Sequence, residues 1–90
     1  MTVLTGKTLD EILDYLERSI NNLAKEVFEN LEEGGLQGTY DFLQNQFDIR
    51  LENLLTAKNS SIHHLESGMK NKVIQRKQDI FDKISNQYKN

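Results

Sequence analysis

Apolar residues recur along the first third of the chain at steps of three and four, the spacing of one face of an α-helix. The stripe consists of Leu9, Leu13, Leu16, Ile20, Leu23, Val27 and Leu31. Thr8 stands directly in front of it as an N-cap candidate, and Glu11 follows three residues later, as in a capping box. The pattern therefore predicts a helix over about residues 9–33.

A cluster of three glycines separates this stripe from the next one. The glycines are Gly34, Gly35 and Gly38. Glycine ends a helix at low cost because it adopts the left-handed conformation, so the cluster predicts a turn over 34–38. Thr39 is then the N-cap candidate of a second helix over about residues 39–58. Its stripe is formed by Tyr40, Leu43, Phe47, Leu51, Leu54 and Leu55.

A third stripe fills the last part of the chain and predicts a helix over about residues 61–88. It consists of Ile62, Leu65, Met69, Val73, Ile80, Ile84 and Tyr88, with Ile74 and Phe81 adjoining. The polar residues 59–61 favour a turn or kink before it. The sequence contains no proline, so it also permits one continuous helix through this point.

These stripes predict an all-α fold of one domain over residues 1–90. The simplest arrangement is a small antiparallel three-helix bundle. The alternative is a long helical hairpin, in which residues 39–88 form one helix of about 75 Å. Such a helix would extend past the first one and would need a second copy or another protein to cover its apolar stripe.

Composition narrows the class of protein. The 90 residues include no cysteine, which excludes disulfide frameworks, zinc ribbons and thiol nucleophiles. Neither a signal-peptide apolar region nor a transmembrane stretch is recognisable, so we expect a soluble, cytoplasmic protein without a membrane partner. A chain of this size buries only about 64% of its unfolded surface, which favours a homodimer or a protein partner. Eight lysines against three arginines, with nine asparagines, suggest a bacterial or phage genome.

The net charge of −3 conceals two segments of opposite sign. Residues 1–53 carry eleven acidic against four basic side chains, whereas residues 69–90 carry six basic against two acidic ones. The first interpretation is that an acidic first helix packs beside a basic last helix. The second is that the basic face meets an anionic partner such as nucleic acid. The candidate anion-binding residues are Lys70, Lys72, Arg76 and Lys77.

Recognisable catalytic groups are missing from the pattern. His63 and His64 are adjacent, so on a helix they diverge by about 100° and do not chelate one ion readily. The glycine cluster lacks the lysine and hydroxyl residue of a phosphate-binding loop. We therefore expect no enzymatic activity, no catalytic residues, no metal, no cofactor and no small-molecule substrate.

One resemblance concerns the segment Leu36-Gln37-Gly38, which would lie between two helices. It resembles the turn of the small tryptophan-x-glycine helical hairpins that type VII secretion systems export. Leu36 stands at the tryptophan position. The export signal of that family is a tyrosine with an acidic residue four positions later. It is missing here, because the residue four positions after Tyr15 is Ser19. The resemblance implies a secreted helical hairpin and is a minor alternative.

The leading functional prediction is a non-enzymatic protein–protein interaction module, such as a small inhibitor, adaptor or regulator. Apolar residues occupy an unusually wide arc of the second helix, and wide arcs make contact on two sides. The candidate interface residues are Phe42, Phe47, Ile49 and Leu54. The runner-up is a nucleic-acid-associated regulator that uses the basic last helix.

Overall fold

A computed structural model describes residues 4–29 and 36–88 and folds them into three α-helices. These are α1 (Gly6–Glu29), α2 (Leu36–Ala57) and α3 (Ser67–Tyr88), with a short 3-10 turn at Ile62–His64 between α2 and α3. The described ranges contain no β-strand. The all-α prediction and the three-helix bundle are confirmed.

The first helix begins earlier than the stripe predicts. Thr5 is its N-cap, because the backbone N–H of Thr8 donates to Thr5 Oγ1 at 3.1 Å and the N–H of Leu9 donates to the Thr5 carbonyl at 2.9 Å. The prediction that Thr8 caps this helix is therefore wrong. Both threonines suit the role, and the helix gains a turn by using the earlier one. The predicted end of this helix, over residues 30–33, lies outside the described residues.

The second helix also begins before its predicted cap. α2 starts at Leu36, so Gly38 and Thr39 lie inside its first turn, and the predicted cap at Thr39 is wrong. The predicted turn at 34–38 is wrong for residues 36–38, while Gly34 and Gly35 lie outside the described residues. Leu36 to Gly38 thus belong to a helix, which removes the turn on which the resemblance to the secreted hairpins rests.

The chain reverses direction after α2 through a left-handed residue. Asn59 has φ = 60°, the N–H of Ser60 donates to the Leu55 carbonyl at 2.8 Å, and the N–H of Asn59 donates to the Thr56 carbonyl at 2.9 Å. This hydrogen-bond pattern is a Schellman motif, which satisfies the last carbonyls of a helix. The turn at residues 59–61 is confirmed, and the long-hairpin alternative is wrong. The last helix begins at Ser67 and not near residue 61.

We expect Asn59→Ala to lower the free energy of unfolding by about 1 kcal/mol, because alanine lacks the polar side chain that eases this backbone conformation. Asn59→Gly is the matched control and should be as stable as the wild type or slightly more stable. Urea denaturation followed by circular dichroism measures both variants. An alanine variant as stable as the glycine variant would contradict the role assigned to this turn.

The three helices form an up-down-up bundle. Phe28, near the end of α1, contacts Tyr40, near the start of α2, so these two helices are antiparallel. Phe28 also stacks on Tyr88, and Asp10 pairs with Lys72, so α1 and α3 run parallel. α1 packs closely against both other helices, whereas α2 and α3 approach each other less closely.

The core lies along the face of α1 that both other helices share. Its buried members are Leu9, Ile12, Leu13, Leu16, Ile20 and Ala24 from α1, Leu43, Phe47, Leu51 and Leu55 from α2, Val73, Ile80 and Ile84 from α3, and Leu65. All of them are apolar, and no buried polar or charged residue was found in the described ranges. The bundle is long and thin, at 49 × 20 × 18 Å.

Candidate interaction surfaces

The basic residues of α3 face the acidic residues of α1. Lys72 Nζ lies 2.8 Å from Asp10 Oδ1, and Arg76 Nη2 lies 2.7 Å from Asp14 Oδ1 and 3.1 Å from Glu17 Oε1. Lys83 adds a longer pair to Glu17 at 3.5 Å. The packing of an acidic first helix beside a basic last helix is therefore confirmed.

Arg76 is the centre of this network. Its side chain is 26% exposed and donates hydrogen bonds to carboxylates one turn apart on α1. The hydrogen bond to Asp14 raises the pKa of Arg76 above its ordinary value, against an opposing effect of desolvation, and Glu17 raises it further. The guanidinium therefore stays charged and fixes the register of α3 against α1.

Lys77 joins α3 to α2. Its ammonium lies 2.9 Å from Asp48 Oδ1 and 5.8 Å from the centre of the Phe47 ring, within the range of a cation–π contact. Three of the four candidate anion-binding residues are thus bound to carboxylates. The fourth, Lys70, is exposed and has no ion-pair partner within residues 4–29 and 36–88.

The four candidate interface residues fall into two groups. Phe47 is fully buried and contacts Phe81 edge to face with ring centres 6.3 Å apart, so it belongs to the core and lines no outer surface. Leu54 is half-buried and packs against the core. Phe42 and Ile49 are 44% and 53% exposed. They lie seven residues apart on the side of α2 opposite its buried positions, and we call them the outer pair.

A groove runs between α2 and α3, on the side of the bundle away from α1. One part, of about 230 Å³, has an apolar lining; the other, of about 550 Å³, is more polar at its rim. Ile74 and Lys77 line both parts, which makes them one continuous α2/α3 groove. The apolar lining of the first part is formed by Leu51, Ile62, Leu65, Val73 and Ile74. The second part adds Gln44, Gln78, Phe81 and Asp82.

Ile74 adjoins the third stripe but is not among the predicted interface residues. It is 63% exposed, more than Phe42 or Ile49, although it directly follows the buried Val73. Its position seven residues before Phe81 is a signal of a second apolar line on α3, parallel to the main stripe. The periodicity shows this line, but only the packing decides that Phe81 is half-buried while Ile74 is left in solvent.

A second cavity lies on the α1/α2 side of the bundle, and its lining is less apolar than that of the α2/α3 groove. This cavity of about 440 Å³ has a mixed lining that includes Tyr15, Ser19 and Arg50, and Arg50 donates a hydrogen bond to the Ser19 hydroxyl.

The two histidines, His63 and His64, are both exposed. Within the part of the chain that the structure describes, no group of three metal-binding side chains occurs. None of the described helices has the length and apolar composition of a bilayer-crossing segment.

Aromatic side chains close one end of the bundle. The rings of Phe28 and Tyr88 stack at 4.3 Å, and Tyr40 meets Phe28 edge to face at 5.5 Å. All three helices contribute one ring each. The Tyr40 hydroxyl is buried and has no hydrogen-bond partner among the described residues. This cluster ties the three helix ends together.

Comparisons with known proteins identify no significant relative of this chain. The chain matches no family model, and searches of curated proteins and of solved structures give no significant match.

Proposed function

We propose that this protein is a non-enzymatic interaction module, a small inhibitor, adaptor or regulator, that binds another protein through the outer face of α2. The observation that carries the proposal is the outer pair, Phe42 and Ile49. Two large apolar side chains seven residues apart on one exposed helix face have the spacing of a helix-in-groove or coiled-coil contact.

The surroundings of the outer pair support protein binding. Asn45, Gln46 and Asn53, which lie on the same side of α2, are uncharged. Interface centres are depleted in charged residues and enriched in aromatic ones, and a phenylalanine on such a face is a typical anchor. Burying the exposed part of both side chains contributes about 2–4 kcal/mol, so neighbouring contacts must supply the rest of a stable complex.

The geometry gives enzymatic chemistry little support. Asp10, Asp14 and Glu17, which have the helical spacing of paired carboxylates, hold lysine and arginine side chains on the surface. General acid–base catalysis needs a carboxyl group poised against a substrate in a cleft, and these groups already have cationic partners. Protein–protein binding requires no such catalytic carboxyl group.

The ion pairs made by the basic residues of α3 do not favour nucleic-acid binding. A phosphate backbone would have to displace Asp10 from Lys72, Asp14 and Glu17 from Arg76, and Asp48 from Lys77. Of the four candidate anion-binding residues, Lys70 alone has no ion-pair partner within residues 4–29 and 36–88, whereas DNA-binding proteins neutralise several phosphates at once.

Affinity capture from the native host tests the proposal. The bait proteins are the wild type, the double variant Phe42→Gln/Ile49→Gln, and Tyr15→Gln as the matched control, since Tyr15 is as exposed as Ile49 but lies on α1. We expect the same partner with the wild type and with Tyr15→Gln, and its loss with the double variant. All three baits should keep the same circular dichroism spectrum. A partner that the double variant retains in full would refute the assignment of the outer pair.

A further inference from the structure

We propose that the cavity between α1 and α2 binds the phosphate group of a small ligand through Arg18 and Arg50. This site includes neither member of the outer pair and is independent of the function proposed above. The starting observation is Arg50, a half-buried cation that has no carboxylate partner within residues 4–29 and 36–88.

Arg50 differs in this respect from the other half-buried basic residues. The described ranges contain three such residues, Arg50, Arg76 and Lys77. Arg76 binds two carboxylates of α1, and Lys77 binds one carboxylate of α2. Withdrawing a charge from water is costly unless an opposite charge compensates it. Arg50 therefore lacks the counter-charge that the other two residues have, and an anionic ligand would supply it.

Neutral side chains hold the Arg50 guanidinium in place. Its Nε–H donates to Gln46 Oε1 at 3.4 Å, and its Nη1 donates to the Ser19 hydroxyl, which joins α2 to α1. A guanidinium has further N–H groups beyond these two, and they remain available to a ligand. Because Arg50 is positioned before a ligand arrives, less conformational entropy is lost on binding.

The rest of the cavity supplies a second guanidinium and neutral donors. Arg18 lines the cavity from α1, is exposed, and also has no ion-pair partner within the described ranges. The Ser19 hydroxyl and the Asn22 amide line the cavity as well and can donate hydrogen bonds. Glu26 is the one acidic residue among the described residues of the lining, so the cavity is locally basic in a protein whose net charge is −3.

Two guanidiniums in one cavity match a phosphate group better than a carboxylate. The chain has only three arginines against eight lysines, and the two that are not bound to carboxylates line this one cavity. The planar fork of arginine fits the oxygens of a phosphate. A phosphomonoester carries a charge of about −1.5 to −2 at neutral pH and three acceptor oxygens, so it can engage both guanidiniums. A carboxylate needs only one of them.

Titration of the full chain with phosphate, followed by heteronuclear NMR at constant ionic strength, tests the site. The probes are inorganic phosphate, phenyl phosphate and benzoate. We expect roughly millimolar dissociation constants for both phosphates, as a few partly exposed charge-assisted hydrogen bonds provide, and weaker binding of benzoate. Tighter binding of phenyl phosphate would identify a phosphomonoester as the ligand, and equal binding of the two phosphates would identify free phosphate.

Variants of the lining distinguish this site from general attraction of anions. Arg18→Gln and Arg50→Gln should each weaken phosphate binding at least about tenfold, because each removes charge-assisted hydrogen bonds. Lys25→Gln is the matched control: it removes the same charge from an exposed position of α1 that does not line the cavity, and should bind phosphate as the wild type does. Glu26→Gln removes a negative charge from the lining and should tighten binding.

Folding of the variants is checked by circular dichroism. Arg18 is exposed and makes no contact that its replacement would break, so Arg18→Gln should stay folded even if loss of the Arg50 bridge loosens the bundle. The double variant Phe42→Gln/Ile49→Gln should bind phosphate like the wild type, so this site and the outer pair are tested separately. A wild type that binds no phosphate at tens of millimolar, benzoate binding as tight as phosphate binding, or an Arg18→Gln variant that binds as tightly as Lys25→Gln would each overturn the proposal.

Discussion

Replacing Phe47 with alanine is expected to lower the free energy of unfolding by about 3–5 kcal/mol. Phe47 is fully buried, contacts the Phe81 ring edge to face, and supports the ammonium of Lys77. Its removal leaves a cavity in the core beside the ring of Phe81. A domain of this size has only about 5–15 kcal/mol to lose.

Phe42→Ala is the matched control for this variant. It removes the same atoms from the same helix, but Phe42 is 44% exposed and lies opposite the core. We expect a loss of about 1 kcal/mol or less, partly offset by the higher helix propensity of alanine. Urea denaturation of both variants at low protein concentration measures the difference. Equal losses would contradict the assignment of Phe47 to the core and of the outer pair to the surface.

The second large effect is expected from Arg76→Glu, which should destabilise the bundle by about 2 kcal/mol. The change removes both hydrogen bonds to α1 and places a third carboxylate beside Asp14 and Glu17. Folding raises the pKa of Arg76, so the stabilisation linked to this shift is fully present at neutral pH and is lost as the pH rises through that raised value.

Arg18→Glu is the control for the charge reversal. Arg18 is an exposed arginine on α1 that has no ion-pair partner within the described ranges. We expect its reversal to cost less than about 0.5 kcal/mol. Thermal unfolding at low and high salt separates the effects, because added salt should reduce the penalty of Arg76→Glu. If both reversals cost the same, the contacts between α1 and α3 do not set the register of the bundle.

Periodicity and glycine placement predict the number of helices and most of the core, because burial of one face is what forms each helix. The helix ends are less predictable. Thr5 and Thr8 are chemically equivalent caps, and the choice between them depends on whether the extra turn can be formed. Gly38 and Thr39 resemble a turn and a cap in sequence, yet the helix includes both of them.

The surfaces are harder to predict than the core, because exposure depends on how neighbouring helices lean. Phe42, Phe47 and Ile49 all belong to a wide apolar arc, and the sequence does not show which part of that arc faces α1. The sequence does show the opposite charges of the first and last segments. Only the structure shows that α1 and α3 lie side by side in parallel. In this alignment Lys72 and Arg76 are paired with carboxylates of α1, whereas Lys70 has no ion-pair partner within the described ranges.

The aromatic cluster at the end of the bundle has a spectroscopic consequence. The chain contains no tryptophan, so its near-ultraviolet fluorescence comes from Tyr15, Tyr40 and Tyr88. Tyr15 is exposed on the outside of α1, whereas Tyr40 and Tyr88 both contact Phe28. Acrylamide quenching should therefore resolve one accessible emitter from two protected ones. The fluorescence of Tyr40 and Tyr88 therefore reports the opening of this end of the bundle. It does not respond to opening of the turn at Asn59, so fraying of the two ends can be told apart without adding a label.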